Sequence, residues 1–138
     1  MSASNTSRAD FNQRVDIIEE AYEFFLAYAS QGLPSDHAGG AGSEIRNYLT
    51  RCDAALAGLG DVILTSVTHT GFDAAPYRAF VAVIERDARD ASAAIQLVLS
   101  LPAIGSQVVD NLNASIHLRA LLTDLFLIDE VLKTAARA

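Results

Sequence analysis

The sequence predicts an all-α protein, an antiparallel bundle of four long helices plus one short helical segment. Apolar residues recur at intervals of three and four along four long stretches of the chain. Serine, aspartate, glycine and proline stand where most of these stretches begin and end, as they do at helix boundaries. The chain shows neither the alternation typical of half-buried strands nor an internal repeat.

The bulk composition restricts the class of protein. A chain of 138 residues predicts a single domain, which we place at 8–138 behind a disordered tail at 1–7. With 51% apolar and 20% charged residues, the chain is rich in apolar side chains for its size, so either its helices bury apolar surface unusually well or a second subunit covers some of it. Its formal net charge of −7 opposes binding to nucleic acid or to an anionic membrane.

The first helix is predicted at 10–30, and its apolar residues cover an arc of roughly 200° at 100° per residue. An arc that wide needs more than one neighbour, so we expect this helix to be central. The acidic residues on the opposite side are expected to face solvent or a basic partner. The apolar rows are Phe11, Val15, Ile18, Tyr22, Phe25, Ala29 and Ile17, Ala21, Phe24, Tyr28, and the acids are Asp16, Glu19, Glu20 and Glu23.

A glycine-rich connection at 32–42 follows, longer than most links between helices. Ser43 is predicted to cap a second helix that runs to about Val67. Gly58 and Gly60 lie inside this helix, where each costs up to about 1 kcal/mol relative to alanine, so a kink or a close approach of another helix is expected there.

The third helix is predicted after a turn at 68–72, with Asp73 as its N-cap, and runs to about Leu99. Pro102 then breaks the pattern. In the final third the apolar residues of 108–116 and of 118–132 point roughly 170° apart at 100° per residue. A straight helix cannot present both sets to one core, so we predict a short helix, a break near 113–115 and a long last helix.

The residue types that hold metals or perform catalysis show no recognisable pattern. No Glu-x-x-His motif accompanies the acids, so no metal site and no cofactor are predicted. Cys52 lies on an apolar stripe and is interpreted as a core residue. A lone cysteine and a polar N-terminus without an apolar leader favour the cytoplasm. An enzyme is the third hypothesis, with an acid–base pair such as His117 and Asp124, but the sequence gives no support for choosing it over a non-enzymatic protein.

Two groups of residues are candidates for binding a small ligand. The glycine-rich connection leads into a helix N-terminus, which can hold an anion through free N–H groups, and the alternative is a plain linker. Tyrosines on neighbouring apolar stripes can line a cavity between helices. The candidates are His37, Ser43 and Arg46 beside the connection, and Tyr22, Tyr48 and Tyr77 around the cavity.

The leading hypothesis is a non-enzymatic accessory or regulatory bundle that acts through protein–protein contacts and forms a homo-oligomer, most simply a dimer. The wide apolar arc of the first helix and the phase change in the last third both leave apolar surface to be covered. The interface is predicted at the row that contains Ile17, Phe24 and Tyr28. The alternative hypothesis is a small-molecule-binding bundle with a pocket between helices.

Overall fold

The computed structural model describes residues 3–38, 40, 42–67 and 74–137, and across them the chain forms six α-helices and no strand. The predicted all-α fold is confirmed. A short 3-10 helix at Asp36–Ala38 lies in the connection after the first helix. The helices are α1 (Ala3–Ser30), α2 (Gly42–Leu56), α3 (Leu59–Val67), α4 (Ala74–Leu99), α5 (Ser106–Ala114) and α6 (His117–Arg137).

Helix α1 lies at the centre of the bundle, as its wide apolar arc predicts. It packs closely against α2, α3 and α5, and it meets α6 over a shorter stretch. The side chains of Phe11, Ile18 and Phe25, one face of the helix, are fully or almost fully buried. The arc therefore receives cover from four neighbours within the same chain.

The N-terminal end of α1 differs from the prediction. The helix begins at Ala3, so residues 3–7, predicted to be a disordered tail, belong to it. Contacts with α6 support this turn: the Arg8 guanidinium donates to Asp129 at 2.6 Å and lies over the Phe11 ring. Met1 and Ser2 lie outside the described residues.

The predicted second helix is divided into α2 and α3, which corrects its predicted course to Val67 in one piece. Gly58 has φ +72°, a left-handed conformation that glycine adopts without a steric penalty, and it follows the last turn of α2. The Arg14 guanidinium of α1 donates to Ala57 O at this end. Ser43 also lies one residue inside α2 and donates to Gly40 O at 2.8 Å, so it is not the N-cap.

The predicted break in the final third is confirmed between α5 and α6. Ile116 joins the two helices with φ 64°, and its side chain is 59% exposed. A β-branched residue is strained in the left-handed region. The break between the helices allows Val109 and Leu112 of α5 and the stripe of α6 to reach the same core.

Replacing Ile116 with glycine is expected to raise the free energy of unfolding by about 1 kcal/mol, because the left-handed strain disappears and little buried surface is lost. Urea denaturation measures this change. Ile116→Val keeps the β-branch and should give no gain. A less stable Ile116→Gly protein would contradict the assignment of strain to this residue.

No helix within the described ranges is long and apolar enough to cross a membrane. The described residues do not include the predicted turn at 68–72, which contains His69, or Asp73, the predicted N-cap of the third helix. The core is a continuous cluster in which every α-helix takes part, and Ile45, Ile84 and Leu121 are among its fully buried members.

Candidate functional site

The connection after α1 is bound to the loop between α4 and α5 by buried polar groups. Asp36, whose side chain is 7% exposed, accepts hydrogen bonds from Arg46 Nε and from Ile104 N, each at 2.7 Å. The bond from Ile104 N, assisted by Arg46, holds the pKa of Asp36 below its usual value. Arg46 also donates to Leu99 O at 3.1 Å and to Leu101 O at 2.7 Å.

Ser106 and Tyr28 extend this network into the core. Ser106 Oγ accepts from Leu33 N at 2.8 Å and donates to Tyr28 O at 2.6 Å. The Tyr28 hydroxyl donates to Ile104 O at 2.6 Å, which satisfies a polar group that burial would otherwise leave unpaired. We call Tyr28, Asp36, Arg46 and Ser106 the loop tie, because they join two connecting loops at one end of the bundle.

The side chains predicted to bind an anion, in the loop tie and beside it, form hydrogen bonds within the chain instead. Nε, Nη1 and Nη2 of Arg46 donate to Asp36 and to two backbone carbonyls. His37 Nε2 donates to Pro102 O at 2.9 Å, in the tautomer with hydrogen on that nitrogen. Ser43 donates to Gly40 O. The hydrogen bonds of Arg46 and His37 therefore hold the two loops together. Gly39 and Ala41, also part of the glycine-rich connection, lie outside the described residues.

Two of the three tyrosines predicted to share a cavity lie on opposite sides of α1. Tyr22 lies beside α6, whereas Tyr48 stacks on Phe24 with ring centroids 4.1 Å apart. Tyr22 and Phe24 point about 160° apart on α1 at 100° per residue, so Tyr22 and Tyr48 flank opposite sides of this helix. Tyr77 is half-buried near the start of α4. Tyr22 and Tyr48 therefore do not line one pocket, which corrects this part of the prediction.

The predicted interface row is partly buried within one chain. Tyr28 has 0% exposed surface and Ala21 has 2%, so these residues have no area left for a second subunit, which corrects the prediction. Ile17 and Phe24 are half-buried and keep some exposed surface. Phe24 stacks on Tyr48 of α2, so part of this row is covered by a helix of the same chain.

A polar cleft of about 430 Å³ lies between α2, α3 and α4. On one wall Ser92 Oγ donates to Asp53 Oδ1 at 2.5 Å, and Gln96 donates to the other Asp53 oxygen at 3.3 Å. On the other wall the Glu85 carboxylate lies so close to Gly60 that a Cβ there would be 2.0 Å from Glu85 Oε1. The Asp53 hydrogen bonds are made within the chain.

A longer groove runs between α1 and α6, and we call it the α1–α6 groove. It consists of two clefts of about 390 and 290 Å³, and Phe126 and Glu19 border both of them. Val15 lines the first cleft, and Tyr22 and Leu122 line the second. Phe126 is 50% exposed, so the middle of the groove presents an aromatic ring to solvent.

The charges along the groove are unevenly distributed. Asp16, Glu19 and Glu23 follow the α1 side. Partial burial raises the pKa of Glu19, and the neighbouring carboxylates of Asp16 and Glu23 add to this effect. The cations lie toward the two ends: Arg8 and Lys133 both pair with Asp129, at 2.6 and 3.0 Å, and Arg119 lies in the second cleft.

Two carboxyl groups meet where α4 packs against α6. Asp124 hydrogen-bonds Asp87, and its Oδ2 atom is buried without a partner. Desolvation, together with the hydrogen bond to Asp87, raises the pKa of Asp124 to about 7. Two carboxyl groups can share a hydrogen bond only when one carries a proton. His117, the residue considered as its acid–base partner, is exposed at the start of α6.

Cys52 is fully buried, and desolvation raises the pKa of its thiol to about 12. The interpretation of Cys52 as a core residue is confirmed, because its side chain has no exposed surface and packs within the core cluster. Within the described ranges no group of three His, Cys, Asp or Glu side chains is placed to hold a metal ion.

Sequence reasoning did not identify Phe126 or the Asp87–Asp124 pair. Phe126 lies off the apolar stripe of α6, and a large ring off the stripe is the signal that points to surface contact. The carboxyl pair carries no such signal, because its two members lie on different helices. The groove is suited chemically to apolar contact between charged rims. Compared with protein-family models, with curated proteins and with solved structures, the chain matches none of them.

Proposed function

We propose that the protein is a non-enzymatic accessory or regulatory bundle that acts through contacts with other protein chains and associates with itself. The observation that carries this proposal is a set of large apolar side chains that stay exposed although the helices share one buried core. They are Leu26, Leu97, Ile116, Phe126, Leu127 and Val131, between 38% and 70% exposed.

The surface proposed for self-association is the outer edge of α6. Leu127 and Val131 are four residues apart on one helical face and are 53% and 38% exposed. They lie about 100° or more around the helix from Phe126, so this edge is separate from the α1–α6 groove. An antiparallel contact between two copies of α6 would place both side chains against the same pair in the other copy.

Changing Leu127 and Val131 together to glutamate is expected to weaken the dimer at least tenfold, because two charges would be buried in an apolar contact. Sedimentation velocity at micromolar concentrations measures the change. The matched control is Asn47→Glu with Thr50→Glu, which adds two charges at exposed positions of α2, away from α6, and should leave the dimer intact. A wild-type protein that stays monomeric at tens of micromolar would contradict self-association.

This pair is a sharper probe than Phe24, the residue that sequence analysis favours. Phe24 stacks on Tyr48 and on Tyr28 within one chain. A charge at Phe24 would therefore disturb the fold and the proposed contact together, whereas Leu127 and Val131 are exposed enough to be changed without opening the core.

A further inference from the structure

The α1–α6 groove has an apolar floor that continues along its length. Val15 lies seven residues before Tyr22 on α1, so both share one face of that helix. Leu122 and Phe126, four residues apart, form the α6 side. Phe126 is 50% exposed, so the floor is open to solvent at its middle.

The length of this floor fits one helix. From Arg8 to Glu23, the first and last α1 residues that line the groove, helix α1 rises about 22 Å at 1.5 Å per residue, so a helix of about 18 residues spans the groove with nearly one turn to spare. An amphipathic helix that lies in such a groove places apolar anchors three, four and seven residues apart on the floor and its polar residues at the rims.

The charges that line the groove favour a basic partner over a second copy of this chain. The middle of the α1 rim is acidic, through Asp16, Glu19 and Glu23, and the protein carries a formal net charge of −7. A second copy of this chain would bring another acidic body against that rim. Lysine or arginine residues that flank an apolar stripe would instead find opposite charge on α1.

We propose that the α1–α6 groove binds an amphipathic helix of a partner protein, with apolar anchors on Phe126, Leu122 and Tyr22 and basic residues toward the acidic rim of α1. This inference rests on the proposed function in one respect, that the protein works through protein contacts. It adds a second surface and the chemistry of the partner that fits it.

The test uses synthetic helical peptides of about 18 residues and the intact protein at about 0.15 M salt. The first peptide has leucines along one helical face and lysines elsewhere. The second has glutamate in place of every lysine, and the third has the composition of the first in an order without an apolar face. Fluorescence anisotropy of the labelled peptides gives the dissociation constants.

The first peptide is expected to bind at least tenfold more tightly than either control peptide, and its binding should weaken with added salt. Phe126→Ser should weaken it about tenfold, and so should the double change Glu19→Gln with Glu23→Gln. The matched controls lie off the groove: Leu97→Ser removes an apolar side chain that is 70% exposed on α4, and Asp90→Asn with Asp110→Asn removes two negative charges.

Equal losses from groove and control variants would mean nonspecific attraction and would overturn the proposal. If no peptide binds and Phe126→Ser dissociates a dimer, the groove is an interface between copies: this proposal fails and the proposed function stands. If no peptide binds and the wild-type protein is a monomer throughout, both fail. Sedimentation of the same variants separates these outcomes.

Discussion

Replacing Asp36 with alanine is expected to lower the free energy of unfolding by about 3 kcal/mol, because the loop tie loses its central acceptor. The Asp36 carboxylate, almost buried, accepts from Arg46 and from Ile104 N. Without it, a backbone N–H and part of a guanidinium lose their partners. Arg46 keeps two carbonyl acceptors and some exposure to solvent, so the effect stays below the upper end of the range for buried pairs. Urea denaturation measures it.

Asp110→Ala, an exposed acid on α5, is the control and should change stability by less than about 0.5 kcal/mol. The pH dependence gives a second check. The pKa of Asp36 is lowered by folding, so its contribution is complete above the unfolded value of 3.8 and is lost as the pH falls through the lower folded value. The difference in the free energy of unfolding between wild type and Asp36→Ala should therefore become smaller at acid pH. Equal midpoints for Asp36→Ala and Asp110→Ala would contradict a stabilising loop tie.

Replacing Asp124 with asparagine is expected to stabilise the protein at pH 8 by about 2 kcal/mol. The pKa of Asp124 is raised from 3.8 to about 7, so between these values the folded protein binds more protons than the unfolded chain. The contribution of Asp124 to the free energy of unfolding is therefore complete below pH 3.8 and is lost as the pH rises through about 7. Asparagine keeps a hydrogen bond to Asp87 and cannot ionise. This gain in free energy is about half of what the full pKa shift would give, because the carboxyl is only partly buried and solvent screens its charge.

Thermal or urea unfolding between pH 4 and pH 8 tests this expectation. The gain of Asp124→Asn should shrink toward pH 4, where the wild-type carboxyl is protonated in the folded state. Glu130→Gln removes an exposed carboxylate from the same helix, and its difference from wild type should show no comparable change across this range. Parallel pH profiles for wild type and Asp124→Asn would rule out a shared proton at this pair.

The helical fold could be predicted because the spacing of the apolar residues along each helix indicates which of its faces is buried. The apolar rows of α1 and the change of phase before Ile116 are properties of single segments, and both are found as predicted. Gly58 is different, because glycine is compatible with a kink, a close approach or a helix end. The structure shows that α2 ends here, because Gly58 has a left-handed conformation and Arg14 of α1 donates a hydrogen bond to Ala57 O.

The candidate sites depend on the register between helices, which a single sequence does not contain. Arg46 and His37 stood out as polar residues near a glycine-rich connection, and nothing nearby in the sequence reveals that Leu99, Leu101 and Pro102 accept their hydrogen bonds. Asp124 likewise has its partner on another helix. The tyrosines were placed on the correct apolar faces, but their distribution around α1 depended on which neighbour each face would meet.

The loop tie also bears on how the chain folds. The hydrogen bonds that link Tyr28 and Asp36 with Ile104, and Ser106 with Tyr28, join residues 68 to 78 positions apart, whereas each helix closes through bonds between near neighbours. Closing a loop of that size costs about 4 kcal/mol in chain entropy before any long-range contact compensates for it. We therefore expect the tie to form after the folding transition state, so that Asp36→Ala accelerates unfolding and leaves the refolding rate nearly unchanged.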